Sequence, residues 1–235
     1  MPAAGRPACR QTGYNSGVIE ARGHPRALAR AYSFFSFLYG RAAAGLEREG
    51  VNRGLRKADV QPGERVLEVA VGTGLVHRRL RQRLAGQGLL VGVDLAPRML
   101  AVTRRQVPGA RLARADARRL PFADGSFDLV WASYLLDLIP AGEMTPLLSE
   151  FRRVLKAGGR LVLVNFSKNG DPNAGERLTW WERAYRMTPT ALVPYLFGGC
   201  RPVRAEPFVR AAGFVEVERE FVPGGLDSEV ISARK

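Results

Sequence analysis

Val66-Leu67-Glu68-Val69-Ala70-Val71-Gly72-Thr73-Gly74 decides the fold. Before its glycines the stretch is apolar except for one acid, short, and rich in β-branched residues, so 65–71 reads as a buried strand. The glycines then let the backbone turn sharply and approach a ligand. A helix over 75–84 follows, offering unpaired N–H groups to an anion. Gln61-Pro62-Gly63 is the turn that leads in. A dinucleotide fingerprint would want a third glycine where His77 stands, and a phosphate loop would want Gly-Lys-Ser/Thr; both are absent. Taken alone, the segment also fits a plain strand-to-helix turn.

The alternation continues downstream. A strand is predicted over 89–95 and a helix over 97–106, with Pro97 at the first helical position. Strands at 110–117 and 127–134 flank a loop at 121–126. A helix at 143–155 is stopped by Gly158-Gly159, and a strand at 160–165 closes the series. Strands alternating with helices predict a parallel sheet covered on both faces, with right-handed crossovers. Then come a short helix (205–212) and strands at 214–222 and 229–233. The run Phe221-Val222-Pro223-Gly224-Gly225 between the two strands predicts an antiparallel pair.

The fold class is therefore α/β: a Rossmann-like, doubly wound, mostly parallel seven-stranded sheet ending in an antiparallel pair. Residues 1–25 are expected to be a flexible tail and 26–58 an N-terminal helical cap. Residues 59–235 form the main domain, in which 171–203 reads as a helical lid insertion. Trp180, Trp181, Tyr185, Tyr195 and Phe197 in that insertion either wall an apolar pocket or simply pack together. No internal repeat is visible.

The 235 residues suit one domain with a single core. Cys9 and Cys200 are too few and too far apart for a disulfide framework or metal site, and no metal is expected. The first ten residues lack the apolar run of a signal sequence, and no stretch approaches the roughly 20 apolar residues of a membrane span, so a cytoplasmic setting is expected. The net charge of +14 is the unusual figure. It comes almost wholly from arginines spread along the chain, which reads first as a solvated Arg-rich surface. Attraction to anionic lipid, an acidic substrate or RNA is the alternative.

In open α/β sheets, ligands bind beyond the carboxyl ends of the strands, where the topology reverses. Acidic residues recur at those ends. Asp94 can accept hydrogen bonds from both hydroxyls of a ribose, or can favour the dipole of the helix it precedes. Asp116, followed by Ala117, can accept an exocyclic amine or stand as a solvated loop acid.

With those residues assembled, the stretch 66–74 and Gly92-Val93-Asp94-Leu95-Ala96-Pro97-Arg98-Met99-Leu100 together resemble the class I S-adenosylmethionine-dependent methyltransferases. The segments 115–128 and 150–161 narrow the resemblance to the branch holding the ubiquinone/menaquinone-biosynthesis and phosphatidylethanolamine N-methyltransferases. The resemblance implies S-adenosylmethionine as co-substrate. Glu68 would anchor the first loop near its amino group, with Gly72, Thr73 and Gly74 along the methionine moiety. Asp94 would take the ribose, Leu95 and Met99 would flank adenine, Asp116 and Ala117 would meet its edge, and Ser133 would lie at the methionine end. On the acceptor side the resemblance points to Tyr32, with Tyr39 as runner-up. Tyr134 and Asp137, just after the fourth strand, are candidates to contact the acceptor, with a solvated loop acid as the alternative for Asp137. Ala70 replaces the usual first glycine, and Ala96 replaces the usual polar helix cap.

The implied activity is methyl transfer to a small molecule: a lipid, quinone precursor or secondary metabolite. An RNA or protein methyltransferase is the alternative, motivated by charge. Base-methylating enzymes usually carry Asn/Asp-Pro-Pro-aromatic after the fourth strand, where this chain reads Ala132-Ser133-Tyr134-Leu135-Leu136, so a nucleic-acid partner is not expected. A non-catalytic binding protein that keeps the fold is a third reading.

Overall fold

The alternation predicted above places β1 (Arg65–Val69) in the middle of a seven-stranded sheet of order β3-β2-β1-β4-β5-β7-β6. The computed structural model describes residues 45–167, 180–189 and 200–235. Strands β2 (Leu89–Asp94), β3 (Arg111–Arg114), β4 (Phe127–Ser133) and β5 (Leu155–Phe166) run parallel to β1. The antiparallel strand β7 (Ser228–Arg234) inserts between β5 and β6 (Val215–Val222). The chain first builds outward through β2 and β3, then returns to the other side of β1 with β4. That reversal puts the crevice for a ligand at the carboxyl ends of β1 and β4.

Period-two alternation sorts the strands' apolar residues onto two faces. Val66, Leu129, Trp131, Val162, Val164 and Val230 face one layer, shared with α1 (Arg48–Ala58) and α2 (Leu75–Arg83). Leu67, Val130, Ala132, Leu161, Leu163 and Ile231 face the other, covered by α4 (Ala141–Val154) and α6 (Glu206–Ala211). Helix α4 buries Met144, Leu147, Leu148, Phe151 and Val154, an i, i+3, i+4, i+7 stripe that explains why this segment is helical. α3 (Pro97–Gln106) lies between β2 and β3. The proline expected at the first turn, Pro97, is there, and Asp94 Oδ1 accepts the Ala96 amide where a capping side chain is lacking.

α1 packs closely because it carries glycines where it meets the sheet. A Cβ at Gly54 would lie 2.7 Å from both Trp131 Cη2 and Val164 Cγ2, and one at Gly50 would lie 2.6 Å from Ser228 Oγ. Arg53 pairs with Glu220 at 2.6 Å and Lys57 with Glu218 at 2.9 Å, tying α1 to β6.

Three expectations need correction. The pair Gly158-Gly159 does not stop a helix before a separate strand: α4 gives way to β5 at Leu155, and the glycines lie inside β5. There the register against β4 shifts between Phe127 and Leu129, and Gly158 has φ 71°. β3 ends at Arg114, since Asp116 and Arg119 pair across a tight turn. Third, the end of the lid segment belongs to the body. Cys200, Arg201, Pro202 and Val203 are buried, and the Val203 amide donates to the Phe166 carbonyl at 2.9 Å. Within the segment expected to be an insertion, α5 (Trp180–Met187) is helical and carries Trp180, Trp181 and Tyr185, whereas Tyr195 and Phe197 lie outside the described residues. So do the tail 1–25 and the first part of the cap, with Tyr32 and Tyr39. No helix among the described residues is long and apolar enough to cross a membrane.

Candidate active site

The site starts with a locked loop. Leaving β1, the chain turns at Ala70 (φ 59°), Gly72 (φ 54°) and Gly74 (φ 84°) into α2. The left-handed conformation costs an L-residue about 1–2 kcal/mol, so Ala70 holds strain that a glycine would not. Two side chains fix the turn. The Gly72 amide donates to Asp94 Oδ2 at 2.9 Å, and Thr103 Oγ1, fully buried on α3, donates to the Gly72 carbonyl at 2.8 Å.

The glycines have different duties. A Cβ at Gly72 would meet only the Ala70 carbonyl, at 3.9 Å, so the backbone there is open to a ligand. At Gly74 the space is filled by Thr103, 2.8 Å away. Gly74 is thus a packing glycine between α2 and α3. Thr73 stands between them, partly exposed.

Beneath the loop Glu68 and His77 form a buried pair, Oε2 to Nδ1 at 2.7 Å, each 1% exposed. The imidazole fits because its neighbour in β2 is Gly92, where a Cβ would lie 3.1 Å from the ring. His77 is therefore a buried core residue. Burial raises the Glu68 carboxyl, and His77 pulls it back down. Burial likewise raises Asp94, against the backbone N–H groups it accepts.

Beyond β2 lie Leu95, half-buried, and Met99, 5% exposed on α3. After β3, Asp116 is partly exposed and ion-paired. Arg118 grips both its oxygens, at 3.0 and 2.9 Å, and also reaches Glu143 at 2.7 Å. The guanidinium holds Asp116 below the usual carboxylate range. Ala117 follows, half-buried. The structure thus gathers Glu68, the 72–74 loop, Asp94, Leu95, Met99, Asp116, Ala117 and Ser133 along the carboxyl edge of β1 to β4.

On the far side of the crevice, Tyr134 takes up a left-handed conformation (φ 51°) directly after β4. Its hydroxyl lies 2.9 Å from Ser228 Oγ, which itself donates to the Leu226 carbonyl at 2.9 Å. The proton between Tyr134 and Ser228 therefore comes from the tyrosine, and burial pushes its pKa up. Asp137 corrects the sequence reading. It has no exposed surface and accepts the Phe166 amide at 3.1 and 3.2 Å, so it holds backbone rather than touching an acceptor or standing in solvent. Burial raises its pKa well above the usual value.

The sequence reading missed two further residues. Thr103 stands on a helix predicted only from the alternation and from Pro97 at its first turn. Glu47, half-buried at the start of α1, has a carboxyl pushed up by burial to about 7. The arginines, too, were read as a solvated surface, yet several are structural. Arg153 bonds Glu150, Asp124 and the carbonyls of Leu120 and Phe122, Arg160 pairs with Glu64, and Arg219 pairs with buried Glu229. Among the described residues no group of His, Cys, Asp and Glu is placed to hold a metal ion.

A methyltransferase-domain family model matches residues 66–159, the span from β1 to the β5 glycines. The demethylmenaquinone methyltransferase of Deinococcus radiodurans is 32% identical over 189 residues, covering 70% of this chain and 76% of its own. The chain belongs to the class I S-adenosylmethionine-dependent methyltransferase family. The demethylmenaquinone methyltransferase of Beutenbergia cavernae is 41% identical over 125 residues, 52% of this chain and 49% of its own. The phosphatidylethanolamine N-methyltransferase of Cereibacter sphaeroides is 40% identical over 119 residues, 48% of this chain and 56% of its own. The chain spans about half the length of most of these curated relatives. A solved S-adenosylmethionine-dependent methyltransferase from Thermotoga maritima shares the fold, with TM-score 0.62 at 22% identity, covering 88% of this chain and 99% of that one.

Proposed function

We propose that the chain binds S-adenosylmethionine across the β1–β4 reversal and transfers its methyl group to a small-molecule acceptor of the quinone-precursor or lipid kind. The observation that carries this reading is the Gly72 loop, open at its backbone and held at both polar atoms by Asp94 and Thr103. The donor set fits the ligand. S-Adenosylmethionine is cationic at its sulfonium and amino groups, and Asp94 gives the crevice an acidic group while Glu68 lies buried beneath the loop. Asp94 uses one lone pair on each oxygen for backbone, which leaves capacity for ribose hydroxyls. Glu68 supports the loop beneath the amino-acid end, Leu95 and Met99 flank the base, and Asp116, Ala117 and Ser133 complete the rim.

When bound, S-adenosylmethionine supplies a methyl group already activated on sulfur. This chain then has to hold the acceptor in line and keep water out, and such positioning can be worth roughly 7–11 kcal/mol. The relatives named above support a quinone-type or lipid acceptor. The exposed arginines of α2 support a peripheral approach to an anionic membrane that would hold one. A cytoplasmic setting belongs to the same reading.

Calorimetric titration with S-adenosylmethionine and S-adenosylhomocysteine tests the first half, and transfer of labelled methyl to reduced demethylmenaquinone or phosphatidylethanolamine tests the second. Binding of neither nucleoside by the folded protein overturns the proposal. Tight, salt-sensitive RNA binding with methyl transfer to that RNA would replace the acceptor class.

A further inference from the structure

We infer that Glu47 is the general base of this site, taking a proton from a phenolic or hydroquinone acceptor as that acceptor is methylated. The inference rests on the methyl-transfer reading above and names the acceptor chemistry it requires.

The position follows from helix geometry. Glu47 is the N-cap of α1. Gly50 lies three residues on, hence on the same face, and it is seated against the Tyr134–Ser228 pair. A Cβ built there would be 2.6 Å from Ser228 Oγ and 3.1 Å from the Tyr134 hydroxyl. Glu47 is therefore one helical turn from the residue that leaves β4 at the topological reversal. Its charge is felt by both Tyr134 and Asp137. On the outer side, the Leu46 carbonyl takes the Leu226 amide at 3.0 Å, which fixes the start of α1 to the β6–β7 turn.

The other titratable groups here are committed elsewhere. Tyr134 gives its proton to Ser228, and Asp137 has its carboxylate on the Phe166 amide with Arg201 and Glu229 acting on it from behind. Around Glu47 stand Arg48 and Glu49 on its own helix and Tyr134 and Asp137 beyond β4, with Cys200 also acting on Tyr134. Among the described residues no hydrogen bond or ion pair holds the Glu47 carboxyl, and burial alone pushes it up to about 7. A base with that affinity is matched to neutral pH, where it is half ionised and still takes a proton well.

The step balances. The acceptor's O–H proton passes to a Glu47 carboxylate oxygen. The electron pair so freed, on oxygen or delivered through the ring to an ortho carbon, forms the bond to the methyl carbon. The carbon–sulfur bond breaks and its pair stays on sulfur. If carbon attacked, the ring regains aromaticity by moving its C–H hydrogen to oxygen as a proton, and Glu47 returns its own proton to solvent. An acceptor that is already a free nucleophile needs no such group.

The test uses the full chain as wild type, Glu47→Gln and Glu47→Asp, with 1,4-dihydroxynaphthalene kept reduced as acceptor. Carbon-13 NMR of labelled glutamate carboxyls, which needs no acceptor, is expected to show one resonance titrating near 7 that Glu47→Gln removes. With saturating S-adenosylmethionine the wild-type rate is expected to fall about tenfold per pH unit below 7. Glu47→Gln is expected to lose roughly 10²–10⁴-fold in rate and the acid limb with it. Its affinity for S-adenosylmethionine should stay within about twofold, and Glu47→Asp should recover part of the rate with its acid limb. A Glu47 resonance titrating near the ordinary glutamate value, or a Glu47→Gln protein that keeps the wild-type rate and limb, overturns the inference. So does a wild type that binds S-adenosylmethionine but leaves the quinol unmethylated. Failure to bind S-adenosylmethionine at all overturns the preceding reading instead, and this one falls with it.

Discussion

Asp94 Oδ2 accepts the amide hydrogen of Gly72 at 2.9 Å, so the acid that ends β2 holds the glycine loop that ends β1. Its other oxygen takes the Ala96 amide at 2.8 Å and starts α3. One carboxylate thus shapes two sides of the crevice before any ligand arrives. Asp94→Ala removes both acceptors and any ribose contact. S-Adenosylmethionine affinity is expected to fall by roughly 1–3 kcal/mol, or about 5- to 150-fold, measured by calorimetry on protein whose circular dichroism is unchanged. Asp94→Asn, which keeps one acceptor oxygen, should lose less. Equal affinity in wild type and Asp94→Ala would remove Asp94 from the site.

Much of this arrangement was legible in the sequence because strand-end acids and glycines repeat with the βα period. Asp94, Asp116 and the 72–74 loop could be placed by counting strands, and the antiparallel end of the sheet by the turn residues Pro223-Gly224-Gly225. Side chains that act across elements were not legible. Thr103 reaches Gly72 over 31 positions, and His77 reaches Glu68 only because Gly92 leaves room in the neighbouring strand. Asp137 looked like a loop acid because its partner, the Phe166 amide, becomes its neighbour only through β4–β5 pairing. Burial of this kind has no local signature.

Gly54 shows how close approach overrides helix propensity. In the middle of α1, alanine is worth about 1 kcal/mol more than glycine to an isolated helix. Here the added methyl would sit 2.7 Å from Trp131 Cη2 and Val164 Cγ2, both buried. A rigid indole and a β-branched side chain in the core cannot swing away, and overpacking costs about 1–3 kcal/mol. Gly54→Ala is therefore expected to lower stability by up to about 2 kcal/mol net, read as a lower urea midpoint. Stabilisation would show that α1 can ride off the sheet.

Arg153 ties α4 to the loop that follows the Asp116–Ala117 edge. It meets Glu150 Oε1 at 2.8 Å, Asp124 at 2.7 Å, and the carbonyls of Leu120 and Phe122 at 3.1 and 2.8 Å. Glu150 Oε1 in turn accepts the Leu120 amide at 2.7 Å. Because the guanidinium is about a third exposed, its ion pairs alone are worth little; its carbonyl bonds carry more. Arg153→Ala should destabilise the protein by about 1–3 kcal/mol and speed amide exchange at 120–124. Arg153→Lys should rescue little, since a single ammonium cannot make the planar fork. Wild-type exchange in that loop would show that Glu150 holds it unaided.

Glu47 should cost the fold stability at neutral pH. Its folded pKa of about 7 lies above the ordinary 4.5, so the folded state binds the proton more tightly than the unfolded chain does. The stability this contributes is fully present below 4.5 and is lost as pH rises through 7. At 1.36 kcal/mol per pKa unit the loss is about 3 kcal/mol, less where water relaxes the half-buried carboxylate. Glu47→Gln stays neutral throughout, so it should match wild type below about pH 4 and exceed it by about 1–3 kcal/mol at pH 8. Acids whose pKa is lowered, such as Asp116 and Glu150, shift in the opposite sense, but equally in both proteins, and they cancel. Urea unfolding of the two proteins at pH 4 and pH 8 measures the difference directly. A gap that opens with pH means an unpaired acid is kept at a cost the fold does not need, as expected of a group retained for chemistry. Parallel curves would mean that Glu47 is solvated and titrates like any surface glutamate.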